Sequence, residues 1–338
     1  AWGLEHDPAR CLALAAQLAQ FANMLDLQFE AREWLERVLG RVQPQTTRPY
    51  AQAARRVAAV LWMQEDLHAA EAWIKASIEC WRHIEDEHEL GIALLFWALI
   101  LLHRDEYEAA LLPAQEGVAL LRKGPRMHWL PIGLHVLGRI YCAQEEYGAA
   151  AAAADEGLAL PSAQEDRWGA AQGTLCKADI AYAQHDYASA RFLYAEAREE
   201  LRAVASGTWP ATRAALSLGK ACWQAGEPQA AVAYWQESIA TGRKIGARKY
   251  VAEALLMLGL AAQRAGEAEQ AAGLCRESLG IYLQTHNDAG TAYALAGLAG
   301  VLVGRCAGDA GTAIDGRLAI ATSALGTAAQ LRAKRRML

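Results

Sequence analysis

The feature that most constrains this 338-residue chain is an internal repeat of about 40 residues. Residues 219–227 read GKACWQAGE and residues 259–267 read GLAAQRAGE, so the two blocks match and are offset by 40. Extending this register along the chain places an alanine at steps of 39 to 41 residues: Ala31, Ala70, Ala110, Ala150, Ala190, Ala231 and Ala271. A period of this length predicts an array of similar structural units, each stacked on its neighbours.

Two further columns of mostly small residues follow the same register. Twelve residues before each alanine stand Ala19, Ala58, Ala98, Gly138, Ala178, Gly219 and Gly259. Seven residues after each alanine stand Val38, Ser77, Gly117, Gly157, Ala197, Ser238 and Ser278. Two antiparallel helices, and the next pair stacked on them, can approach closely only where side chains are small. The columns therefore predict closely packed helical hairpins.

The three columns match the eighth, twentieth and twenty-seventh positions of the tetratricopeptide (TPR) consensus. An aromatic residue expected at the start of the second helix is present as Tyr107, Tyr147 and Tyr187. We therefore predict an all-α fold, a right-handed α-solenoid of about eight TPR-like antiparallel helix pairs. It would form a single superhelical domain over residues 1–338, with repeats at about 8–45, 46–86, 87–125, 126–165, 166–206, 207–246, 247–286 and a degenerate capping unit at 287–338.

Helix-breaking residues predict where the helices begin and end. Breakers cluster at Gly124-Pro125, Pro161-Ser162, residues 206–210 and residues 286–288, and Asp7-Pro8 is typical of a helix start. In the last repeat the two column positions are ten residues further apart than elsewhere. The extra residues surround 306–312, where we expect a long loop.

Charge and cysteine usage exclude several partner classes. The 33 basic and 38 acidic residues give a net charge of -5, so the chain has no overall positive field for nucleic acid or anionic membranes. The strongly apolar run at residues 90–102 spans 13 residues, and the longest uncharged run, residues 289–304, spans 16, too few to cross a bilayer. We predict no direct nucleic-acid partner and no membrane association. Seven cysteines stand singly, which indicates reduced, buried thiols in a cytoplasmic protein.

No motif for catalysis stands out in the sequence. It contains no phosphate-binding loop, no His-Glu-x-x-His or Cys-x-x-Cys metal motif and no Gly-x-Ser-x-Gly nucleophile turn. The nine histidines are dispersed, and His83 and His88, five residues apart, would lie on different faces of a helix. We therefore predict that the chain is not an enzyme and holds no cofactor or metal ion.

The candidate ligand-binding residues come from the first helix of each repeat, whose consensus positions 2, 5, 9, 12 and 13 line the concave groove of a TPR solenoid. In repeats four to six the candidates at these positions are His135, Arg139, Asp179, Tyr182, Arg213, Lys220 and Trp223. The groove positions of repeats two and seven also hold Arg55, Trp62, Glu253 and Arg264. The cations would bind polar groups of a ligand, and the two aromatic rings offer flat faces for stacking. The alternative is that the aromatic rings pack between repeats and the charges are merely solvated.

A second candidate is apolar. In repeat three the same positions hold Ile92, Leu95, Leu99 and Leu102, which could form an apolar patch in the groove. The alternative is that a neighbouring hairpin buries this helix, because a continuous apolar surface is typical of a buried helix.

Three segments carry a more specific family resemblance. Residues 29–39, FEAREWLERVL, resemble the segment that opens the C-terminal TPR region of bacterial STAND ATPases, the signal-transduction ATPases with numerous domains. The group includes MalT-like and antibiotic-regulator-like transcription activators. QESIA at 236–240 and RESL at 276–279 are similar to a recurrent repeat ending of the family, and residues 321–332 are similar to its closing segment.

The resemblance implies that the chain is a sensor domain that controls transcription or another output. In the family, an inducer binds the TPR region and relieves autoinhibition of a nucleotide-binding core, often joined to a DNA-binding domain. The implied partners are a small-molecule or protein/peptide inducer in the groove and the ATPase core of the same polypeptide. The chain begins at Ala1 without an initiator methionine, which favours a fragment of a longer protein. The alternative function is a generic TPR scaffold that docks a peptide or protein partner.

Overall fold

The protein is an all-α solenoid of TPR-like helix pairs. The structure, a computed structural model, describes residues 46–124, 129–160, 167–205, 208–285 and 287–308, and a few separated positions before residue 46. Within these residues the helices are α1 (Arg48–Met63), α2 (Leu67–Ile84), α3 (Glu87–His103), α4 (Tyr107–Lys123), α5 (Leu130–Ala143), α6 (Tyr147–Ala159), α7 (Arg167–Ala183), α8 (Tyr187–Ala205), α9 (Trp209–Gln224), α10 (Pro228–Ile245), α11 (Arg248–Arg264), α12 (Ala268–Gln284) and α13 (Asp288–Gly308).

The helices group into two compact units, Ala1–Ile180 and Ala181–Leu338. In the first unit α1 packs on α2, α3 on α4 and α5 on α6, and α2 also packs on α3 and α4 on α5. In the second unit the same order joins α8 to α13. First helices of successive pairs also touch, α1 with α3, α3 with α5, α9 with α11 and α11 with α13. These contacts confirm the predicted stack of helix pairs.

The small-residue columns mark the points where helices approach most closely. Ala70, Ala110 and Ala150 are fully buried. The Ser278 hydroxyl donates a hydrogen bond of 2.7 Å to the carbonyl oxygen of Ala252 on the first helix of its own pair. Ser77 and Ser238 make the equivalent bond, so a small polar side chain at this column ties the two helices of a hairpin together.

The turn inside each hairpin contains a residue with a left-handed backbone, five residues before the column alanine. Its φ lies between +60° and +83° in Glu65, Asp105, Glu145, His185, Gly226 and Gly266. This conformation reverses the chain within three residues, so the second helix begins directly against the first. Tyr107, Tyr147 and Tyr187 open the second helices as predicted.

Arg–Glu pairs connect the second helices of successive repeats. An arginine twelve residues after the column alanine meets a glutamate six residues after the next one. Arg82 lies 3.2 Å from Glu116, and the Arg122–Glu156 and Arg243–Glu277 pairs measure 2.5 and 2.6 Å. Each exposed pair contributes little free energy, about 0 to 1 kcal/mol. Their repetition favours the correct alignment of neighbouring hairpins.

The predicted breaks fall at observed helix ends, with one correction. Helix α4 ends at Lys123, α6 at Ala159, α8 at Ala205 and α12 at Gln284, next to the predicted breakers. Helix α13 continues to Gly308, so residues 306–308 are helical instead of part of a loop. An isolated glycine weakens a helix by about 1 kcal/mol and does not end an apolar helical run. The predictions for Asp7-Pro8, the first repeat and residues 309–338, including family-like segment 321–332, concern positions outside the described residues.

Candidate ligand-binding site

The apolar candidates of repeat three lie in the core of the first unit. Ile92, Leu95, Leu99 and Leu102 expose between 0 and 7% of their surface. They pack with Ala110 and the apolar side chains of α4 and α5. Neighbouring hairpins cover α3, as the alternative interpretation proposed. These four side chains therefore stabilise the fold and present no open apolar patch to a ligand.

The polar candidates of the first unit occupy different environments. His135 on α5 is 3% exposed, so its ring lies inside the unit and not on the groove surface. Arg139, one helical turn further along α5, and Asp179 on α7 are half-buried. Arg139 and Asp179 occupy the same register position in successive first helices. They remain predicted ligand contacts, whereas His135 belongs to the interior.

Three polar candidates of the second unit are engaged within the fold. Arg213 on α9 is 6% exposed. The Tyr182 ring meets the Tyr187 ring edge to face with centroids 5.5 Å apart, so it packs against the start of α8. Lys220 forms an ion pair with Glu253 on α11. Of the candidates in the second unit, Trp223 is the one that lines a pocket.

Trp223 borders an open pocket of about 380 Å³ in the second unit. The pocket is lined by Trp223, Trp235, Met257, Leu260, Gln263 and Arg264. It lies where the C-terminal halves of α9 and α11 meet the N-terminal half of α10. Counting from Gly259 at position 8, Leu260, Gln263 and Arg264 occupy positions 9, 12 and 13, which are groove-lining positions of a TPR first helix. The pocket is therefore formed largely from the positions that were expected to bind ligand.

Two ring contacts position the Trp223 side chain. Its ring lies 5.7 Å from the Trp235 ring at an angle of 44°. The guanidinium carbon of Arg264 lies 5.1 Å from the Trp223 ring centroid, within cation–π distance. Gly219 makes this packing possible, because a Cβ atom there would lie 2.5 Å from the indole nitrogen of Trp235. The pocket thus has a rigid aromatic wall and a cation at its rim.

Arg264 differs in its charge environment from Lys220 and Arg55, two other first-helix cations. Its side chain is exposed, and among the described residues no carboxylate forms an ion pair with it. In contrast, Lys220 pairs with Glu253, and buried Arg55 lies 3.1 Å from Glu89. Burial lowers the pKa of Arg55, and the Glu89 carboxylate opposes that shift. The pocket therefore presents a positive charge that no carboxylate of the described residues neutralises.

Sequence reasoning identified only part of this site. Trp223 and Arg264 followed from their register positions on first helices. Trp235 was missed because it lies on a second helix, which the register rule does not consider. The sequence feature that could have identified Trp235 is Gly219, sixteen residues earlier. The missing side chain of a glycine on one helix makes room for an indole on the next. Met257 was missed because it occupies a position that usually packs between helices.

The described residues lack the features of a metal site or of a membrane-spanning helix, and burial suppresses the reactivity of Cys275. Nowhere in this part of the chain do three or more His, Cys, Asp or Glu side chains gather as metal ligands would. None of the described helices has the length and apolar character needed to span a bilayer. Cys80, Cys176, Cys222 and Cys275 are buried thiols that form no disulfide within the described residues. Burial raises the pKa of Cys275 to about 11, which makes it a packing residue.

Comparison with known proteins supports the fold. No family model matches the sequence, and no curated protein matches it. A Rap protein complexed with competence and sporulation factor has a TM-score of 0.71 at 14% identity, covering 96% of this chain and 87% of that one. A Rap conjugation gene regulator of plasmid pLS20, in complex with the Phr* peptide, has a TM-score of 0.65 at 10% identity, with 96% of each chain covered.

A third similar structure belongs to the group suggested by the sequence. It is a STAND protein with a tetratricopeptide repeat sensor from Pyrococcus horikoshii, with a TM-score of 0.54 at 14% identity. The alignment covers 80% of this chain and 43% of that one. At such identities these likenesses establish a TPR-like helical-repeat fold and nothing more specific.

Proposed function

We propose that this chain is the ligand-sensing TPR domain of a STAND-type signal-transduction ATPase and has no catalytic role of its own. The observation that carries the proposal is the pocket beside Trp223, at groove-lining positions of α9 and α11. The similar structures include two Rap proteins in complex with a factor or a peptide and a STAND protein with a TPR sensor, which supports this choice. The inducer would be a peptide, a protein segment or a small molecule.

The arrangement supplies a physical mechanism for sensing. The pocket takes side chains from two successive repeats, so a ligand there contacts both hairpins at once. A ligand that fits one relative arrangement of the hairpins better than another shifts the population toward that arrangement. Because repeats contact mainly their neighbours, a change at one interface alters the surface of the solenoid that the ATPase core would contact.

Selection of peptide ligands tests the binding part of the proposal. A library of linear peptides displayed on phage would be selected on the immobilised chain, and the selected peptides titrated into variants. We expect Trp223→Ala to weaken binding about 10- to 100-fold, as truncation of an aromatic hot spot does. Phe192→Ala is the matched control, because Phe192 is 69% exposed on α8 and does not line the pocket. Equal losses in both variants, or none in Trp223→Ala, would reject the site.

The sensing part is tested in the longer protein. We expect the coding sequence before Ala1 to encode a phosphate-binding loop, and Trp223→Ala in that protein to abolish ligand-dependent nucleotide exchange while the ligand-independent rate persists. A generic scaffold, the alternative function, predicts that no ATPase core is encoded there. An upstream sequence without a phosphate-binding loop would therefore reject the STAND assignment.

A further inference from the structure

We infer that the Trp223 pocket binds a carboxylate with an apolar body, and that Arg264 supplies the opposite charge. This inference rests on the proposed function, because it names the ligand class of the same site. It depends on three properties of the lining: a cation with no acid partner in the described part of the chain, an aromatic wall and an apolar floor.

Many of the described arginines in this fold lie beside a carboxylate. Several described helical arginines each have a carboxylate within ion-pair distance: Arg48 with Asp86, Arg55 with Glu89, Arg82 with Glu116, Arg104 with Glu71, Arg122 with Glu156, Arg198 with Glu237 and Arg243 with Glu277. Arg264 departs from that pattern, because its guanidinium lies over the Trp223 ring and no carboxylate among the described residues pairs with it. A guanidinium over an indole face does not use up its N–H donors there, and their fork geometry fits a carboxylate.

The rest of the lining favours a monoanion with an apolar body. Trp223, Met257 and Leu260 contribute indole, thioether and aliphatic surface. Stripping water from a dianion such as phosphate beside these groups would cost more free energy than stripping it from a carboxylate. Methionine adapts to differently shaped apolar groups, and Gln263 offers an amide donor in the same lining. A volume of about 380 Å³ accommodates a group the size of an aromatic side chain.

Two sources could provide this chemistry, namely a free aromatic carboxylic acid and the C-terminal residue of a peptide. The probes are 3-phenylpropanoate and its neutral amide for the first source. For the second they are the peptide acetyl-Gly-Gly-Phe with a free carboxylate and the same peptide as its C-terminal amide. Each acid and amide pair differs in the charge at one end while keeping the apolar body.

The experiment titrates all four probes into the wild-type chain, Arg264→Gln and the control Arg243→Gln by ligand-observed NMR. Arg243 is exposed and paired with Glu277 on second helices, away from the pocket. We expect the wild-type chain to bind the better acid with a Kd of about 0.1 to 1 mM, typical of a fragment of this size. Arg264→Gln should weaken the acids about tenfold and change the amides less than twofold. Arg243→Gln should change neither.

The outcomes separate this inference from the proposed function. If acids and amides lose affinity equally in Arg264→Gln, or if amides bind the wild-type chain as well as acids do, the carboxylate assignment is overturned. The peptides selected above would still lose affinity in Trp223→Ala, so the sensing site would stand. Absence of binding by every probe at 10 times the expected Kd also overturns it. Tighter binding of the acid peptide than of 3-phenylpropanoate identifies a peptide C terminus as the source, and the reverse identifies a free acid.

Discussion

At the residue scale, the hairpin turns combine one geometry with two kinds of residue. The left-handed position is glycine in the turns of repeats six and seven, at Gly226 and Gly266. In earlier turns it holds residues with a side chain, such as Glu145 with φ +63°. A non-glycine residue in this region is strained by about 1 to 2 kcal/mol relative to its preferred conformation. The early turns therefore carry a local strain that the later turns avoid.

This difference predicts that Glu145→Gly stabilises the chain. Relief of the strain exceeds the extra backbone entropy of glycine in the unfolded state, so we expect a gain of about 0.5 to 1 kcal/mol in the free energy of unfolding. The matched control is Gly226→Ala at the equivalent turn, which should lose about 1 kcal/mol. Urea denaturation followed by circular dichroism measures both. A loss of stability in Glu145→Gly would contradict the strain argument.

Burial of the thiols leads to a chemical prediction for Cys275. Because its pKa is raised to about 11, almost none of it is thiolate at pH 8, and the thiolate is the reactive form. We expect iodoacetamide to alkylate Cys275 in the native chain at least tenfold more slowly than half-buried Cys142. The rate at Cys275 should increase as the pH is raised toward 11. Mass spectrometry of tryptic peptides measures both rates, and equal rates at pH 8 would show that Cys275 is accessible and ionised.

At the element scale, the stability of each hairpin depends on close contact between its two helices. The column glycines are required where a side chain of the second helix occupies the space that a Cβ atom would need. At Gly259 a Cβ atom would lie 2.7 Å from the buried Cys275 sulfur and 3.3 Å from the Ala271 carbonyl oxygen. At Gly273 on α12, in contrast, an added Cβ atom would have no neighbouring atom within 4 Å.

The two glycines should therefore respond with opposite sign to the same substitution. Gly259→Ala forces the sulfur or the helix to move, and we expect a loss of about 1 to 3 kcal/mol in the free energy of unfolding. Gly273→Ala only improves helix propensity, which should add about 0.5 to 1 kcal/mol. Thermal and urea denaturation of the two variants would test this contrast. Similar changes of one sign in both would contradict the claim that the columns mark points of contact.

At the scale of the whole molecule, the repeat predicted most of the fold because helix contact imposes small side chains at fixed intervals. The same register predicted which first-helix positions could reach a ligand, and Trp223 and Arg264, at two of those positions, line the pocket. It could not predict how neighbouring elements cover those positions. His135 is enclosed, and Lys220 is paired with Glu253 from the next repeat. The Lys220 contact depends on a residue 33 positions away, which a single-repeat register does not describe.

The central claim is that the first-helix face of α9 and α11 is the ligand-binding surface of this protein. Amide hydrogen exchange of the chain, measured with and without a peptide selected on it, tests that claim most directly. We expect slower exchange in the C-terminal halves of α9 and α11, around Trp223 and Arg264, and little change in the exposed half of α12. Protection confined to the outer faces of second helices, with α9 and α11 unchanged, would contradict the claim.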